Sequence, residues 1–452
     1  MFSSILRPRW RSLPALALLT VMAACGEDDV ILQGEREPLG LAAQVDVGFE
    51  NQALAISLPS PETVNAWTHP GGNALHRIPH SAFSTAPQQI WSADIGAGDT
   101  RRQRINAQPV VAEGRIFTVD AQGIVAATST SGQPLWRRDL TPANETGGAF
   151  SIGVLGGTSV GGSHGLSFGG GQLYVNSAFG EVHALDPATG DEIWVQDIDA
   201  QGGGSATYFD GRVYVAARDS VGWAINAETG RIEWQLIGTP STSGYLGGAG
   251  PTVTDDLAIF PFPSGELLAV FRRGGLQRWT ATVLGGRDGV AYAQISDIAA
   301  DPVVAGRRVY ASNPAGRLVA LDLDNGARIW TARDGALKTP VVAGGSIFIV
   351  SDQNVLTRIN ADTGERIWAV QLPLFEESNA RRQKTIFAHN GPLLAGGQLW
   401  VASSDGGLRG YDPVSGAAGA SLPITGGAAT APIVAGGVMY VVTKRGQLLA
   451  FR

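Results

Sequence analysis

The only cysteine of the chain lies where covalent lipid chemistry would use it. Residues 1–24 contain three arginines followed by an apolar run from Leu13 to Ala24, and Cys25 completes the sequence MAAC. A positive start, a short apolar middle and small residues before a cleavage point are typical of a secretory signal. We therefore predict a signal peptide at residues 1–24 and a lipid-modified Cys25, as in a bacterial lipobox. The alternative is an ordinary signal peptide with an incidental cysteine.

Three histidines, His69, His76 and His80, are spaced seven and four residues apart. Imidazoles at such spacings can bind a metal ion, but a structural zinc site needs a fourth ligand, and none is evident nearby. The surrounding residues 67–84 look like a loop. We therefore predict no metal here and expect a loop that packs on the side of the fold.

Other motifs that could do chemistry are weak. The Gly/Ser-rich stretch Thr141–His164 lacks the Lys-Ser/Thr ending of a phosphate-binding loop, which favours a plain loop. The sequence DLDNG at Asp322 lacks the distant glutamate of a calcium loop, which favours a turn. No paired titratable groups and no HExxH motif indicate an active site. We predict no catalytic residues, no cofactor and no enzyme activity.

The charge balance excludes some partners. The full chain carries a net charge of −7, from 33 basic and 40 acidic residues. Removing the three arginines of residues 1–24 leaves 30 basic residues, so the mature chain would carry −10. An acidic secreted protein is not expected to bind nucleic acid. It is also not expected to adhere electrostatically to anionic lipid, so the acyl chains would provide the membrane anchor.

A repeated eleven-residue pattern dominates the rest of the chain. Ala184–Trp194 reads ALDPATGDEIW, which predicts a strand, a tight turn with Gly190 at positive φ, and a second strand ending in tryptophan. Seven copies at an irregular spacing of roughly 40–60 residues indicate a repeat architecture. The last copy has Ala420 in the tryptophan position. The tryptophans assigned to the repeat, including one before the first copy, are Trp91, Trp136, Trp194, Trp234, Trp279, Trp330 and Trp368.

Each copy follows two short strands separated by glycine turns, which gives four short antiparallel strands per unit. That pattern predicts an all-β fold, an eight-bladed β-propeller. The last unit, Ala431–Arg452, lacks its tryptophan strand, whereas a spare one lies around Trp91. We predict that Trp91 joins the blade that carries Tyr440 and closes the ring, which removes exposed sheet edges. The predicted organisation is a signal peptide at 1–24, a lipidated tether at 25–60 and the propeller at 61–452.

The A-x-D-x-x-T-G-x-x-x-W units resemble the tryptophan-docking motif of quinoprotein-type propellers. Together with the lipobox, the tether and the length of the chain, they resemble the BamB family of lipoproteins. That resemblance covers the mature chain and implies a non-catalytic scaffold of the outer-membrane β-barrel assembly machine. It implies a lipid-anchored location on the periplasmic face of the outer membrane, docking on the POTRA domains of a BamA-like subunit, and contact with nascent outer-membrane proteins.

The resemblance also implies a partner-binding surface on loops near the middle of the chain. A Leu-Arg-Gly stretch of the family aligns with Tyr245, Leu246 and Gly247, so that Leu246 replaces the arginine. A Ser-Asp-Val-Asp run aligns with residues 296–299, where Asp297 keeps the first acid and Ala299 replaces the second. We expect partner binding at Tyr245, Leu246 and Asp297. Two alternatives stay open: a quinone-cofactor (PQQ) dehydrogenase, and a periplasmic propeller that binds a ligand in its channel.

Overall fold

A computed structural model describes residues 49–452, apart from 102, 143–162, 242–243, 246 and 288–290. Within these residues, 32 strands form eight four-stranded antiparallel sheets, as expected for an eight-bladed propeller. Seven sheets are continuous in sequence, and the eighth combines the last three strands with the first. The fold predicted from the repeat is thereby confirmed.

The strands of blades 1 to 4 are β2 (Val110–Ala112), β3 (Arg115–Val119), β4 (Ile124–Ser129), β5 (Pro134–Asp139); β6 (Gly165–Gly169), β7 (Gln172–Asn176), β8 (Glu181–Leu185), β9 (Glu192–Asp197); β10 (Thr207–Phe209), β11 (Arg212–Ala216), β12 (Val221–Asn226), β13 (Ile232–Ile237); and β14 (Thr252–Val253), β15 (Leu257–Pro261), β16 (Glu266–Phe271), β17 (Gln277–Thr282).

The strands of blades 5 to 8 are β18 (Val303–Ala305), β19 (Arg308–Asn313), β20 (Arg317–Asp322), β21 (Arg328–Ala332); β22 (Val341–Ala343), β23 (Ser346–Val350), β24 (Val355–Asn360), β25 (Arg366–Gln371); β26 (His389–Ala395), β27 (Gln398–Ser403), β28 (Gly407–Tyr411), β29 (Ala418–Pro423); and β30 (Ile433–Ala435), β31 (Val438–Val442), β32 (Gln447–Phe451), β1 (Gln89–Asp94). Short 3-10 helices span Pro70–Gly72, Ala291–Gln294 and Ala380–Arg382.

Burial along each blade explains why the strands carry these residues. In blade 2, β7 is almost wholly buried, whereas the outer strand β9 shows two exposed positions and then alternates. The inner strands are covered by neighbouring blades on both faces, and only the outer strand meets water. The hairpin that joins the last two strands is set by an Asx turn. Asp322 Oδ1, for example, accepts from Asp324 N and Asn325 N at 3.0 and 3.2 Å, which confirms the turn interpretation of DLDNG.

The repeated tryptophan attaches every blade except blade 7 to the next one. Trp136 on β5 lies over Gly190 in the following blade, where an added Cβ would come within 2.6 Å of the indole. Its Nε1 donates to Pro187 O at 3.0 Å. Gly190 has φ +79°, so glycine serves both the turn and the close approach of the ring. The repeat therefore encodes contacts between blades as well as the strands within them.

The ring closes as the sequence predicts. Strand β1 pairs antiparallel with β32, and the Trp91 ring lies 5.9 Å from that of Tyr440. Trp91 also covers Gly132 in blade 1. Blade 8 has no hairpin between its last two strands, because they come from opposite ends of the chain. Blade 7 packs against blade 8 and has Ala420 where the other blades have tryptophan. Blade 8 has no hairpin glycine for an indole to cover, so the tryptophan is absent where its partner is absent.

The segment before β1 passes from the outer strand of blade 6 to the inside of the ring, and we call residues 51–83 the belt. Its backbone pairs with the first strands of successive blades. Trp67 exchanges two hydrogen bonds with Val111 of blade 1 at 2.8 and 2.9 Å. Further backbone bonds to blades 2, 4, 5, 7 and 8 are Phe168 N to Thr68 O, Val253 N to Ala74 O, Val304 N to Leu75 O, Ser81 N to Leu394 O and Gly436 N to Val64 O. The inward edge of the first strands would otherwise leave polar backbone groups without partners.

The belt begins on the outside of blade 6. Gln52 N donates to Ile367 O at 3.0 Å, and Asn51 makes two hydrogen bonds with the backbone of Ala369. Residues 56 and 57 then pass against the turn at Gly344. Contacts with the propeller thus start inside the segment expected to be a tether. The earlier part of the tether, which contains Cys25, and the signal peptide both lie outside the described residues.

The three histidines belong to the belt, and their expected position on the side of the fold was wrong. His69 Nε2 accepts from Tyr208 N in blade 3 at 3.1 Å, and His76 Nδ1 lies 3.2 Å from Pro302 O next to blade 5. His80 Nε2 accepts from Gly397 N in blade 7 at 2.9 Å. Each imidazole therefore satisfies backbone atoms of a different blade. Burial is the main cause that lowers the pKa of His69, to about 3, and that of His76.

Candidate functional site: the central cavity and its mouth

The belt closes one end of the central channel and turns it into a cavity of about 540 Å³. Pro70, Gly71 and Ile78 of the belt contribute to its lining. Most of the other lining residues come from segments that lead into the first strand of each blade. Tyr245, Leu337 and Ile386, on the connections between blades, lie at the other end, which we call the mouth.

The expected partner residues Tyr245 and Asp297 lie together beside the mouth. Asp297 Oδ2 accepts from Tyr245 N at 2.7 Å and pairs with Arg218 Nη1 at 3.0 Å. The Asp297 side chain is only 2% exposed. It therefore offers no charge to the surface and instead ties the connection between blades 3 and 4 to the one between blades 4 and 5. Leu246 lies outside the described residues.

The tie at Asp297 leaves no space for a larger residue at position 244. A Cβ on Gly244 would collide with the guanidinium of Arg218 and approach Asp297 Oδ2 to 2.8 Å. The Tyr245 side chain is half-buried, and its pKa is raised, first by burial and then by the negative charges of Asp352 and Asp297. The phenol is thus a neutral, partly apolar group at the mouth.

A second buried ion network supports the same face. Arg287 donates to both oxygens of Asp352, at 2.7 and 3.0 Å, and Tyr292 Oη donates to Asp352 at 3.2 Å. Burial, followed by the Asp352 charge, raises the pKa of Tyr292 to about 12. Asp334 pairs with Arg366 at 2.7 Å and lies 3.8 Å from Arg287. These contacts fix the connection after blade 4 onto blades 5 and 6.

Apolar side chains remain exposed around this fixed framework. Leu337 is 41% and Ile386 40% exposed at the mouth. Ile386 belongs to the insertion Gln371–Ala388, in which Phe375 and Ile386 form a bridge that folds the insertion back on itself. Preorganised apolar groups on rigid connections are suited to protein binding.

The metal site and the phosphate-binding loop that the sequence raised can be followed only in the described residues. Within the described part of the chain, no group of three or more His, Cys, Asp or Glu side chains is arranged to hold a metal ion. The Gly/Ser-rich stretch falls mostly in 143–162, which lies outside the described residues. Among residues 49–452 as described, no helix has the length and apolar character needed to cross a bilayer.

Sequence reasoning missed the belt, the partner of Asp297 and the basic groups of the cavity. The belt makes its contacts through backbone atoms, so its sequence has no periodic signature. Arg218 lies 79 residues from Asp297, and nothing in a single sequence pairs them. The scarcity of lysine was a usable signal: the chain has only Lys338, Lys384 and Lys444, and the first and last of these line the cavity.

Comparisons with known proteins agree with this architecture. The family model for the outer membrane protein assembly factor BamB matches residues 121–370 and 355–452. BamB from Moranella endobia is 26% identical over 271 residues, covering 57% of this chain and 66% of that protein. BamB from Yersinia pestis is 27% identical over 263 residues, covering 58% and 64%. The matched region thus spans just under two thirds of these relatives.

Solved structures share the fold at lower identity. BamB from Moraxella catarrhalis superposes with a TM-score of 0.64 at 17% identity, covering 81% of this chain and all of that one. Quinohemoprotein alcohol dehydrogenase from Comamonas testosteroni gives 0.63 at 14% identity, covering 85% and 80%. At such low sequence identities the superpositions show a shared fold and nothing about function. Because the family model matches most of the chain, blade after blade, the chain belongs to the BamB family.

Proposed function

We propose that this chain is a non-catalytic assembly factor for outer-membrane β-barrel proteins. It docks through the mouth of its propeller on the POTRA domains of a BamA-like subunit, and it contacts nascent outer-membrane proteins as a second partner. A lipid on Cys25 anchors it to the periplasmic face of the outer membrane. Membership of a family whose members are named assembly factors supports the biological role.

The observation that carries the docking surface is the bond between Asp297 Oδ2 and Tyr245 N. A buried carboxylate that holds two connections together preorganises the surface around Tyr245, so little loop ordering is needed on binding. Tyr245, Leu337 and Ile386 then present aromatic and aliphatic groups with a polar rim, as protein-binding surfaces do. In this proposal Asp297 positions the surface and does not touch the partner.

The test is binding of the full chain, purified in detergent, to the isolated POTRA domains of the BamA-like subunit from the same organism. Tyr245→Ala and Leu337→Ala should each weaken binding about tenfold or more, as expected for central interface residues. The matched control is Leu276→Ala, since Leu276 is 70% exposed in the hairpin before β17, at the end of the blade away from the mouth.

Two results would contradict the proposal. One is the absence of binding by the unaltered chain. The other is equal weakening by Leu337→Ala and Leu276→Ala, which would place the contact elsewhere. If the purified chain instead carried a quinone chromophore, the alternative of a quinone-dependent dehydrogenase would replace the scaffold; at present only the shared fold speaks for it.

A further inference from the structure

The central cavity contains basic groups that the proposed docking function does not use. The 452-residue chain has three lysines, and two of them, Lys338 and Lys444, line this one cavity. Lys338 lies on the connection between blades 5 and 6, and Lys444 lies in blade 8 on the turn between β31 and β32. The cavity makes up a small part of the protein surface, yet it contains two of the three lysines. This concentration indicates that their positive charge has a function there.

Neither ammonium group has an ion-pair or hydrogen-bond partner among the described residues. The carboxylate that acts on Lys338 is that of Asp301, which attracts the ammonium electrostatically but forms no salt bridge with it. Both oxygens of Asp301 are already engaged, since Oδ1 accepts from Gly250 N at 2.8 Å and Oδ2 from Thr339 Oγ1 at 2.7 Å. A cation in a confined space without a partner leaves room for an anion.

The other carboxylates that line the cavity do not fill this role. Asp99 forms an ion pair with Arg104 at 3.2 Å and accepts a hydrogen bond from Ile105 N at 2.8 Å. Asp352 is held by Arg287. Glu376 is exposed to bulk solvent, where water and salt screen its charge. The positive charge of the lysines is therefore not neutralised from within the described protein.

The environment of Lys338 favours a ligand that brings negative charge. The side chain is open to the cavity but is shielded from bulk water, and this burial lowers its pKa, while Asp301 acts in the opposite direction. An anion bound next to the ammonium would offset the loss of hydration, because an ion pair is stronger in a confined, water-poor site. Lys338 thus gains more from an anion than an exposed lysine does.

The dimensions fit a small molecule. A volume of about 540 Å³ falls within the roughly 300–1,000 Å³ of small-molecule sites. The belt closes the far end, and the mouth gives access from solvent. Apolar side chains such as Ile78, Ile105 and Val350 also contribute to the lining. The geometry points to this cavity as a binding site for a small organic oxyanion, a carboxylate or a phosphate ester, held by Lys338 and Lys444.

Because lysine is so rare here, each ammonium can be observed directly. The full chain in detergent is reductively methylated with ¹³C-formaldehyde, which keeps the charge, and the three dimethyl-lysine signals are assigned with Lys338→Met, Lys384→Met and Lys444→Met. Lys384 is exposed on the insertion outside the cavity lining and is the internal control. The probes are glycerol 3-phosphate and succinate, with neutral glycerol for comparison at constant ionic strength.

A saturable shift of the Lys338 and Lys444 signals is expected, without a shift of Lys384. The apparent pKa of Lys338 should rise by about one unit, which corresponds to tenfold tighter binding of the anion to the charged amine. A response to glycerol 3-phosphate alone assigns a phosphate ester, one to succinate alone a carboxylate, and one to both a general oxyanion site. All three support the inference.

Calorimetry on unmethylated variants provides a second measurement. Lys338→Met should abolish binding of the effective probe, whereas Lys384→Met, with the same change of charge, should retain it. The inference is overturned if neither anion shifts Lys338, if glycerol acts as well as glycerol 3-phosphate, or if Lys384 responds as much as Lys338. It is also overturned if Lys338→Met and Lys384→Met bind the probe equally.

Discussion

Arg358 donates from Nη1 to the carbonyl oxygen of Leu54 at 2.6 Å, across 304 residues of sequence. The same guanidinium donates to Val414 O at 3.1 Å and to Ser346 Oγ at 3.0 Å. Five other copies of the repeat have alanine at this place, such as Ala184 in blade 2, and one has Gly410. The one large cation in this series therefore holds the start of the belt against blades 6 and 7.

Replacing Arg358 with alanine should release the start of the belt while leaving the blade intact. Alanine fits this strand position in other blades, but the bonds to the belt are lost, at an expected cost of about 2–3 kcal/mol in the free energy of unfolding. Hydrogen–deuterium exchange should accelerate at residues 51–58 and stay slow in β24. Arg231→Ala, at an exposed arginine, is the control. Unchanged exchange at residues 51–58 would contradict this role of Arg358.

The contact between Trp136 and Gly190 can be separated from the cost of the turn conformation. Gly190 and Gly171 have nearly equal φ angles of +79° and +78°, but a Cβ at Gly171 would meet no atom within 4 Å. Alanine at either position should cost about 1 kcal/mol for the backbone conformation. Gly190→Ala should cost about 1–3 kcal/mol more, because the methyl group displaces the indole. Urea unfolding measures the difference, and equal values would show that the indole adapts freely.

The bond between Asp297 and Tyr245 predicts an effect on loop order. Asp297→Asn keeps the shape but removes the charge that Arg218 faces, so we expect a loss of about 1–3 kcal/mol and faster exchange at the Tyr245 amide. Glu377→Gln, an exposed acid on the insertion, is the control for net charge. A protected Tyr245 amide in Asp297→Asn would show that the loop is ordered by other contacts.

Buried histidines predict that the fold loses stability in mild acid. Burial lowers the pKa of His69 to about 3 and of His164 to about 4, and it also lowers that of His76 and His389. Because these values lie below the unfolded value of about 6.5, the unfolded chain binds more protons as the pH falls from about 6.5 to 4. The free energy of unfolding should then fall by up to about 1.4 kcal/mol per pH unit for each histidine.

Urea unfolding at pH 7.0, 5.5 and 4.5 measures this dependence. The lowest pH lies above 3.8, the ordinary pKa of an aspartate. Carboxylates such as Asp405, whose pKa is lowered in the fold, therefore lose most of their contribution only below this window. A variant with His69→Asn should show a shallower slope by about one proton. Equal stability at pH 7.0 and 4.5 would contradict the burial of neutral imidazoles.

The blades could be predicted from sequence because their contacts repeat. Trp194 and Gly230, for example, occupy fixed places in the eleven-residue pattern, and the missing tryptophan strand of the last unit predicted the partner of Trp91. The site could not be predicted in the same way. The burial of Asp297 depends on Arg218 in another blade, and the belt uses backbone atoms, which any residue supplies. Arg358 occupies a place that alanine or glycine holds in the other copies. It was the one sequence signal for the belt, but only the position of Leu54 shows what the arginine contacts.

The belt has a consequence for the order in which the protein can form during synthesis. Residues 51–94 leave the ribosome before any of blades 1 to 7, yet their partners are spread over all eight blades and include Arg452, since Gln88 and Arg452 exchange backbone hydrogen bonds at 2.8 and 2.9 Å. Contacts so distant in sequence form late. The segment that precedes the blades in sequence is thus the last to reach its final position, and strand β1 stays an open edge until the final blade exists.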